Sequence, residues 1–363
     1  MQKKIIALAI AGLASTAAFA QSNVTVYGVV DLGQAWVKGD ATGANQDQKT
    51  VGRLDNNSSY IGFKGVEDLG NGLKAVFQLE TGYSADNGGG WGGARDTYIG
   101  LTGGFGTVVA GQLTHPLRAF GAKVDILPGA AGFGTVASVT GVIAGVKTGA
   151  DERAKNAIAY VSPNFGGFSA IAAYVNGEQR TNPAVGEDAN HTQWQVAGQY
   201  ENGPIFVGAG YHQVYDLNAA ADMDARIWRL AAVYTAPFGT KFSALYDDTK
   251  IENYVGGTRD VSRAAWSLGA AHTFGKNTIG LQYGQSDKTE VSGAADLKDS
   301  ADIWTVAYSY AMSKRTQLHA RYSVLDNDKA GSFNFYNNAV KNSVDAGAGA
   351  EYSGFMVGLR HTF

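Results

Sequence analysis

Six histidines, His115, His191, His212, His272, His319 and His361, are the side chains in this chain best suited to proton transfer or metal ligation near neutral pH. Their spacing supports neither: none falls at the short intervals of a zinc site, and no Gly-x-Ser-x-Gly elbow or His-Glu-x-x-His pair is present. Asp326-Asn327-Asp328 opens like a calcium loop, but Ala330 and Asn337 stand where further ligands belong. Gly104-Phe105-Gly106 is followed by Val109 where a dinucleotide fingerprint needs its third glycine. The chain has no cysteine, which removes thiolate chemistry and disulfide staples. No cofactor or metal is expected. What remains is electrostatics without bond-making: Lys74 and Glu80 share one face of an alternating segment with Gln78, where fixed charges would attract or repel ions.

The elements that would position such charges are strands. In 73–83, Leu73, Ala75, Phe77, Leu79 and Tyr83 oppose Lys74, Gln78 and Glu80. In 226–235, Trp228, Leu230, Ala232 and Tyr234 oppose Arg229; in 262–274, Trp266, Leu268 and Phe274 oppose Arg263, Ser267 and Thr273; in 316–325, Leu318, Tyr322 and Val324 oppose Gln317, His319, Arg321 and Ser323. Period-two alternation fits a sandwich in water as well as a barrel in lipid, and by itself does not separate them.

The ends and the punctuation favour the barrel. Lys3 and Lys4, the apolar stretch from Ile5 to Leu13 and Ala18-Phe19-Ala20 have the three regions of a secretory leader, so residues 1–20 are expected to be removed, leaving 21–363 as one barrel domain. Without the two lysines the chain carries 27 basic and 32 acidic side chains, a balance unsuited to binding nucleic acid. The last segment alternates from Phe355 to Leu359 and ends on Phe363. Seven tight turns, among them Gly70-Asn71-Gly72, Thr102-Gly103-Gly104 and Phe274-Gly275-Lys276-Asn277, alternate with eight longer polar connections near 40–59, 84–94, 114–154, 177–190, 216–225, 250–261, 287–301 and 327–344. Fifteen connections imply an all-β fold: a sixteen-stranded antiparallel transmembrane barrel with short turns at one rim and long loops at the other. Phe105, Phe165, Phe168, Phe238, Phe274 and Phe363 cluster beside the short turns, as a girdle at a membrane boundary would.

The connection 114–154 is unlike the others. It carries Phe120, Val124, Ile126, Leu127, Phe133, Val136, Val139, Val142 and Ile143, too apolar for a structureless loop in water. Folding into the barrel would bury these residues and narrow the pore. Asp125 is then a candidate acid facing basic residues across the constriction; the alternative is an external, solvated position.

Four stretches carry a resemblance. They are the run from Gly62-Phe63-Lys64 through Glu67-Asp68-Leu69-Gly70 to Phe77-Gln78-Leu79-Glu80, then Arg95-Asp96-Thr97-Tyr98-Ile99-Gly100-Leu101, Asn156 through Phe168, and the terminal Gly358-Leu359-Arg360-His361-Thr362-Phe363. Together they resemble the general porins of Gram-negative β-proteobacteria. The resemblance implies a homotrimer in the outer membrane, among lipid and lipopolysaccharide, each barrel passing small hydrophilic solutes and inorganic anions through its own pore. It further implies that Arg95 and Arg153 line the constriction and that Glu80 is a lumen acid; a structural ion pair in the wall is the alternative for the arginines. Tyr60 stands where many relatives have an arginine, with Arg53 and Lys64 nearby as substitutes. The chain is therefore expected to be an anion-preferring diffusion porin and not an enzyme; a solute-specific channel is the alternative, ahead of a barrel enzyme or an adhesin, which would share the same barrel.

Overall fold

The computed structural model describes residues 23–40, 48–177, 191–218, 223–255, 257–340 and 347–363; the leader expected over residues 1–20 and most of the 177–190 connection lie outside them. Along the strand Met223–Thr235, Trp228 and Leu230 are 55% and 53% exposed while Arg229 between them is 0% exposed. Thr316–Asn327 repeats this, with Leu318 and Tyr322 outward and His319, Arg321 and Ser323 buried. A sandwich in water hides its apolar faces; here the polar faces are enclosed and the apolar ones face out, the arrangement that hydrocarbon surroundings demand.

The sheet closes on itself. The first strand, Asn23–Asp40, pairs antiparallel with the last, Glu351–Thr362, from Val29↔Thr362 to Asp40↔Glu351. The Gly28 and Phe363 backbones exchange hydrogen bonds of 3.2 and 3.1 Å, and the Phe363 ring occupies the space a side chain at position 28 would need. The final aromatic is thereby fixed against the first strand.

Eighteen strand segments form the sheet. Gln48–Asn56 and Tyr60–Gly70 lie end to end against Asn23–Asp40 as one interrupted strand, and Glu290–Val291 is a short extension beside Val261 and Ser262, leaving sixteen wall strands. Their connections alternate between the two rims in the order expected, although at the long-loop rim those from Asn218 to Met223 and from Val255 to Arg259 are short. The strands run further at the long-loop rim than alternation indicates. Thr240–Val255 and Arg259–Phe274 still pair at Val255↔Arg259, inside the span expected as the loop 250–261, and Gln48–Asn56 lies inside 40–59. At this rim the apolar-out pattern ends although pairing continues: Ile251 and Val261, opposite each other in the ladder, are buried in an apolar cluster with Ile143, Ala225 and Val291, while Lys250, Glu252 and Asp260 form a partly exposed ion-pair group.

Two aromatic girdles bound the apolar band. The phenylalanines beside the short turns are exposed as expected. The second girdle, towards the long loops, lies within strands: Trp194 and Tyr211 are 5.0 Å apart, Tyr211 and Trp228 4.5 Å, Trp266 and Tyr283 5.4 Å, Trp304 and Tyr322 5.2 Å, and Trp36 and Phe355 5.9 Å. Such rings suit a boundary that is apolar on one side and wet on the other.

The third long connection packs on the enclosed face. It contains helix α1, Pro116–Val124, a 3-10 turn at Pro128–Ala130, helix α2, Ala137–Thr140, and a two-residue ladder, Val142–Ile143 with Val146–Lys147. Pro116 starts α1 where its missing N–H costs nothing. Leu117, Phe120, Val124, Phe133, Val139 and Ile143 are fully buried, each burial worth about 1.5–3 kcal/mol. Space for them comes from wall glycines. A Cβ on Gly208 would meet the Phe120 ring at 3.0 Å, one on Gly210 the Leu117 Cδ1 at 2.7 Å, one on Gly284 the Val139 Cγ2 at 3.0 Å, and one on Gly354 the Phe133 ring at 3.0 Å.

These contacts predict an asymmetry between two glycines of adjacent strands. Gly210→Val should lower unfolding free energy in urea by about 1–3 kcal/mol through overpacking against Leu117. Gly198→Val, at an outward position with nothing within 4 Å, should leave the urea midpoint unchanged.

Candidate functional site

Register places the candidate residues on the enclosed face of one sector of wall. Gly62 pairs with both Tyr27 and Glu80, so Tyr27 and Glu80 flank a residue without a side chain, and the Tyr27 ring lies across it. The Tyr27 hydroxyl donates to Glu80 Oε2 at 3.1 Å, and Arg95 Nε donates to Glu80 Oε1. The Arg95 guanidinium carbon lies 4.3 Å from the Tyr60 ring centroid, and Lys64 Nζ lies 5.1 Å from that of Tyr27. Tyr60 is thus a platform for a cation, a contact worth about 0.5–2 kcal/mol.

A second pair adjoins the first. Arg153 Nε donates to Asp96 Oδ1 at 3.1 Å, and the Thr114 hydroxyl donates to the same carboxylate at 2.7 and 3.0 Å. Asp96 and Thr114 therefore hold Arg153 at the point where the third connection returns to the wall. Arg153 lies within electrostatic reach of Arg95, Arg118 and Glu80. Both expected arginines are thus ion-paired and also partly accessible, at 21% for Arg95 and 17% for Arg153, whereas Glu80 is 7% exposed.

The other expected residues are placed elsewhere. Lys74 pairs in register with Asp68 beside a short turn, about 20 Å along the strand from Glu80. Arg53 is engaged by Asp55 at 2.8 Å and by the Asn338 and Ala339 carbonyls, so it does not stand in for a cation at position 60. Asp125 does not reach solvent, and the basic residues within its electrostatic reach are Lys241 and Arg321 of the wall, not Arg95 and Arg153. It is enclosed within the third connection, accepting from the Leu127 N–H at 2.8 Å and the Val136 N–H at 3.0 Å. Burial raises its pKa above the usual carboxylate value, and the two N–H donors offset part of that rise. Its job is to fix the fold of the connection, because the peptide groups it bonds have no strand to pair with.

Sequence patterning missed the anchor of that connection. Arg229 is wholly buried and uses all five guanidinium donors. It gives two to Asp247, both at 2.6 Å, two to Asp151, at 2.7 and 2.8 Å, and one to the Leu117 carbonyl at 2.8 Å. Asp247 comes from the neighbouring wall strand, Asp151 and Leu117 from opposite ends of the third connection. Burial alone would raise Asp151, but the Arg229 charge outweighs it and holds its pKa below 3.8. Further ties spread along the connection: Ile126 N–H to Gln282 Oε1 at 2.9 Å, Lys241 Nζ to the Asp125 carbonyl at 2.9 Å, Thr305 Oγ1 to the Gly134 carbonyl at 2.8 Å, and Arg321 to the Ala131 and Phe133 carbonyls. Among the described residues no group of three or more His, Asp or Glu side chains is arranged to hold a metal ion.

Residues 7–330 match a family model described as Gram-negative porin. Outer membrane porin protein 32 of Delftia acidovorans is 34% identical over 370 residues, covering 100% of both chains. Major outer membrane protein P.IB of Neisseria gonorrhoeae is 31% identical over 335 residues, covering 87% of this chain and 91% of its own. Among solved structures, an anion-selective porin from Comamonas acidovorans superposes with a TM-score of 0.80 at 29% identity, over 94% of this chain and 100% of that one. The trimer form of OmpT from Vibrio cholerae gives 0.67 at 16% identity, over 94% and 99%.

The Arg229 geometry makes a quantitative prediction. Arg229→Met leaves two buried carboxylates unpaired and should cost about 3–5 kcal/mol in urea unfolding. Adding Asp151→Asn and Asp247→Asn should recover most of the loss. A single variant as stable as the parent would mean that the three groups do not form this network.

Proposed function

We propose, from the premise that this chain belongs to the Gram-negative porin family, that its pore prefers anions and that Arg95 and Arg153 carry the preference. The chain is an outer-membrane diffusion porin, passing small hydrophilic solutes down their gradients, and its family membership supports a channel rather than an enzyme.

The observation that carries the preference is the unequal accessibility of opposite charges. Lys64, Arg95, Arg118 and Arg153 are all partly exposed, while Glu80, Asp151 and Asp247 are withdrawn into the wall and its contacts with the third connection. Asp96 and Glu152 are the acids that remain accessible in this sector. A hydrated anion therefore meets more positive than negative charge where residues 114–154 narrow the lumen. The anion-selective porin of Comamonas acidovorans, similar along nearly the whole chain, supports the same direction. The preference is modest, because each arginine remains paired.

Homotrimer formation among outer-membrane lipid and lipopolysaccharide belongs to the same proposal. The exposed apolar belt gives neighbouring barrels and acyl chains a surface to cover, and a porin of the same fold has a trimer form.

The test is the reversal potential of the purified chain in a planar bilayer under a potassium chloride gradient. An anion-side potential is expected. In Arg95→Ala/Arg153→Ala, two charges about 8 Å from a water-filled path are lost, worth about 1 kcal/mol together and about 0.4 kcal/mol after screening over a Debye length; because this acts with opposite sign on anions and cations, the anion-to-cation permeability ratio should fall roughly fourfold. An unchanged ratio would remove both arginines from the ion path.

A further inference from the structure

Where the third connection leaves the wall, two imidazoles meet inside the protein. His115, between Thr114 and Pro116, and His212, on the strand Ile205–Asn218, have ring centroids 4.9 Å apart with planes at 76°. They are 4% and 0% exposed.

A hydrogen-bonded chain assigns the state of His212. His191 Nδ1 lies 3.0 Å from the Asp216 carbonyl and must be the donor there, which leaves its Nε2 to accept from the Gln193 amide at 3.2 Å. Gln193 Oε1, 3.0 Å from His212 Nε2, then accepts a proton from it. The bare nitrogen of His212 is consequently Nδ1, and it has no hydrogen-bond partner. The Gly149 backbone lies beside His115, yet neither ring nitrogen of His115 completes a hydrogen bond. The side chain of Gln195, cross-strand from His212, is likewise without partners. Two proton acceptors are thus enclosed side by side.

The surrounding charges oppose filling them. From the third connection His115 faces Arg118 and Asp151; from the wall, Arg229 and His191 bear on His212. The carboxylate in this group, Asp151, is already bound by Arg229, whose donors are all in use. A proton on either ring would add a buried cation beside Arg118 and Arg229 with no free counter-ion, a situation relieved by moving the ring into water. His115 adjoins Thr114, which holds Asp96 and hence Arg153, so motion at this root reaches the charged sector directly.

We propose that the His115–His212 pair is an acid-sensitive latch: as neutral rings they seat the root of the third connection on the wall, and protonation expels that root into the lumen and closes the pore. This rests on the porin reading. Burial, reinforced by Arg118, lowers the His115 pKa from 6.5 to about 4. A histidine with a depressed pKa binds its proton more readily once released. The seated state is therefore fully favoured above pH 6.5 and weakens as pH falls towards about 4, by up to tenfold per pH unit for each proton taken up. Asp151, held below 3.8, stays charged across that window and keeps its two bonds to Arg229.

Single-channel recording from the full chain, from about pH 7.5 to about pH 4, tests this. The fully open level should be stable down to pH 6.5, lose occupancy progressively below it, and return on neutralisation. His115→Phe retains a packed ring without a titrating nitrogen, and His212→Gln retains a donor for Gln193; each should flatten the acid response, and two variants guard against one failing to fold. A parent channel indifferent to acid, or variants that close as the parent does, would overturn the latch. A correctly inserted chain with no conductance at neutral pH would instead overturn the porin reading, and the latch with it.

Discussion

Everything in this molecule follows from the obligation to pair each backbone N–H and C=O inside hydrocarbon, where water cannot substitute. One way to meet it with strands is to leave no edge, and the pairing of Asn23–Asp40 with Glu351–Thr362 does this. Closure then sorts the side chains. Alternate residues face acyl chains and must be apolar, and the remainder enclose a space that need not be filled. Stability comes from the continuous ladder and from Phe363 seated over Gly28, in a chain with no disulfide to assist it.

An enclosed polar face creates a second problem, which the third connection solves. A segment rich in valine and phenylalanine is laid on a wall rich in charge. Glycines open sockets for the apolar side chains, while Arg229, Arg321, Gln282 and Thr305 satisfy the polar groups between those sockets. The same wall therefore holds two kinds of ion pair. The Arg229 network is dry and spends its whole charge on holding the fold. Arg95 with Glu80 and Arg153 with Asp96 are partly exposed, which is what the proposed anion preference draws on. Burial, more than residue type, separates the arginine spent wholly on structure from those left partly accessible.

The architecture was legible in the sequence because its cause is local. Alternation has a period of two, tight turns need glycine, and an even count of strands follows from seven turns and eight loops. Strand ends were less legible, since near Ile251 and Val261 the inward face turns apolar beside charged, partly exposed neighbours, and the apolar-out pattern ends while pairing continues. The site was legible only in part. Alternation puts Glu80 and Arg229 on the enclosed face, but the partners of Arg229 lie 78 positions upstream at Asp151 and 18 downstream at Asp247, separations without a sequence signature. Asp125 was misplaced because a carboxylate in a loop is ordinarily solvated, and nothing local announces that Leu127 and Val136 will turn their N–H groups on it. Tyr60 looked like a missing charge, and only the fold shows its ring beneath Arg95.

The wall glycines bear on how this chain can be altered. Gly208, Gly210, Gly284 and Gly354 are a negative cast of Phe120, Leu117, Val139 and Phe133, so the seat of the third connection is recorded twice, at places far apart in the chain. Grafting that connection alone onto another barrel would deliver a key without its lock. A transplant that is to carry the pore's character must take the four glycines as well, and wherever descendants of this chain enlarge one of those residues, the side chain seated against it should be found smaller.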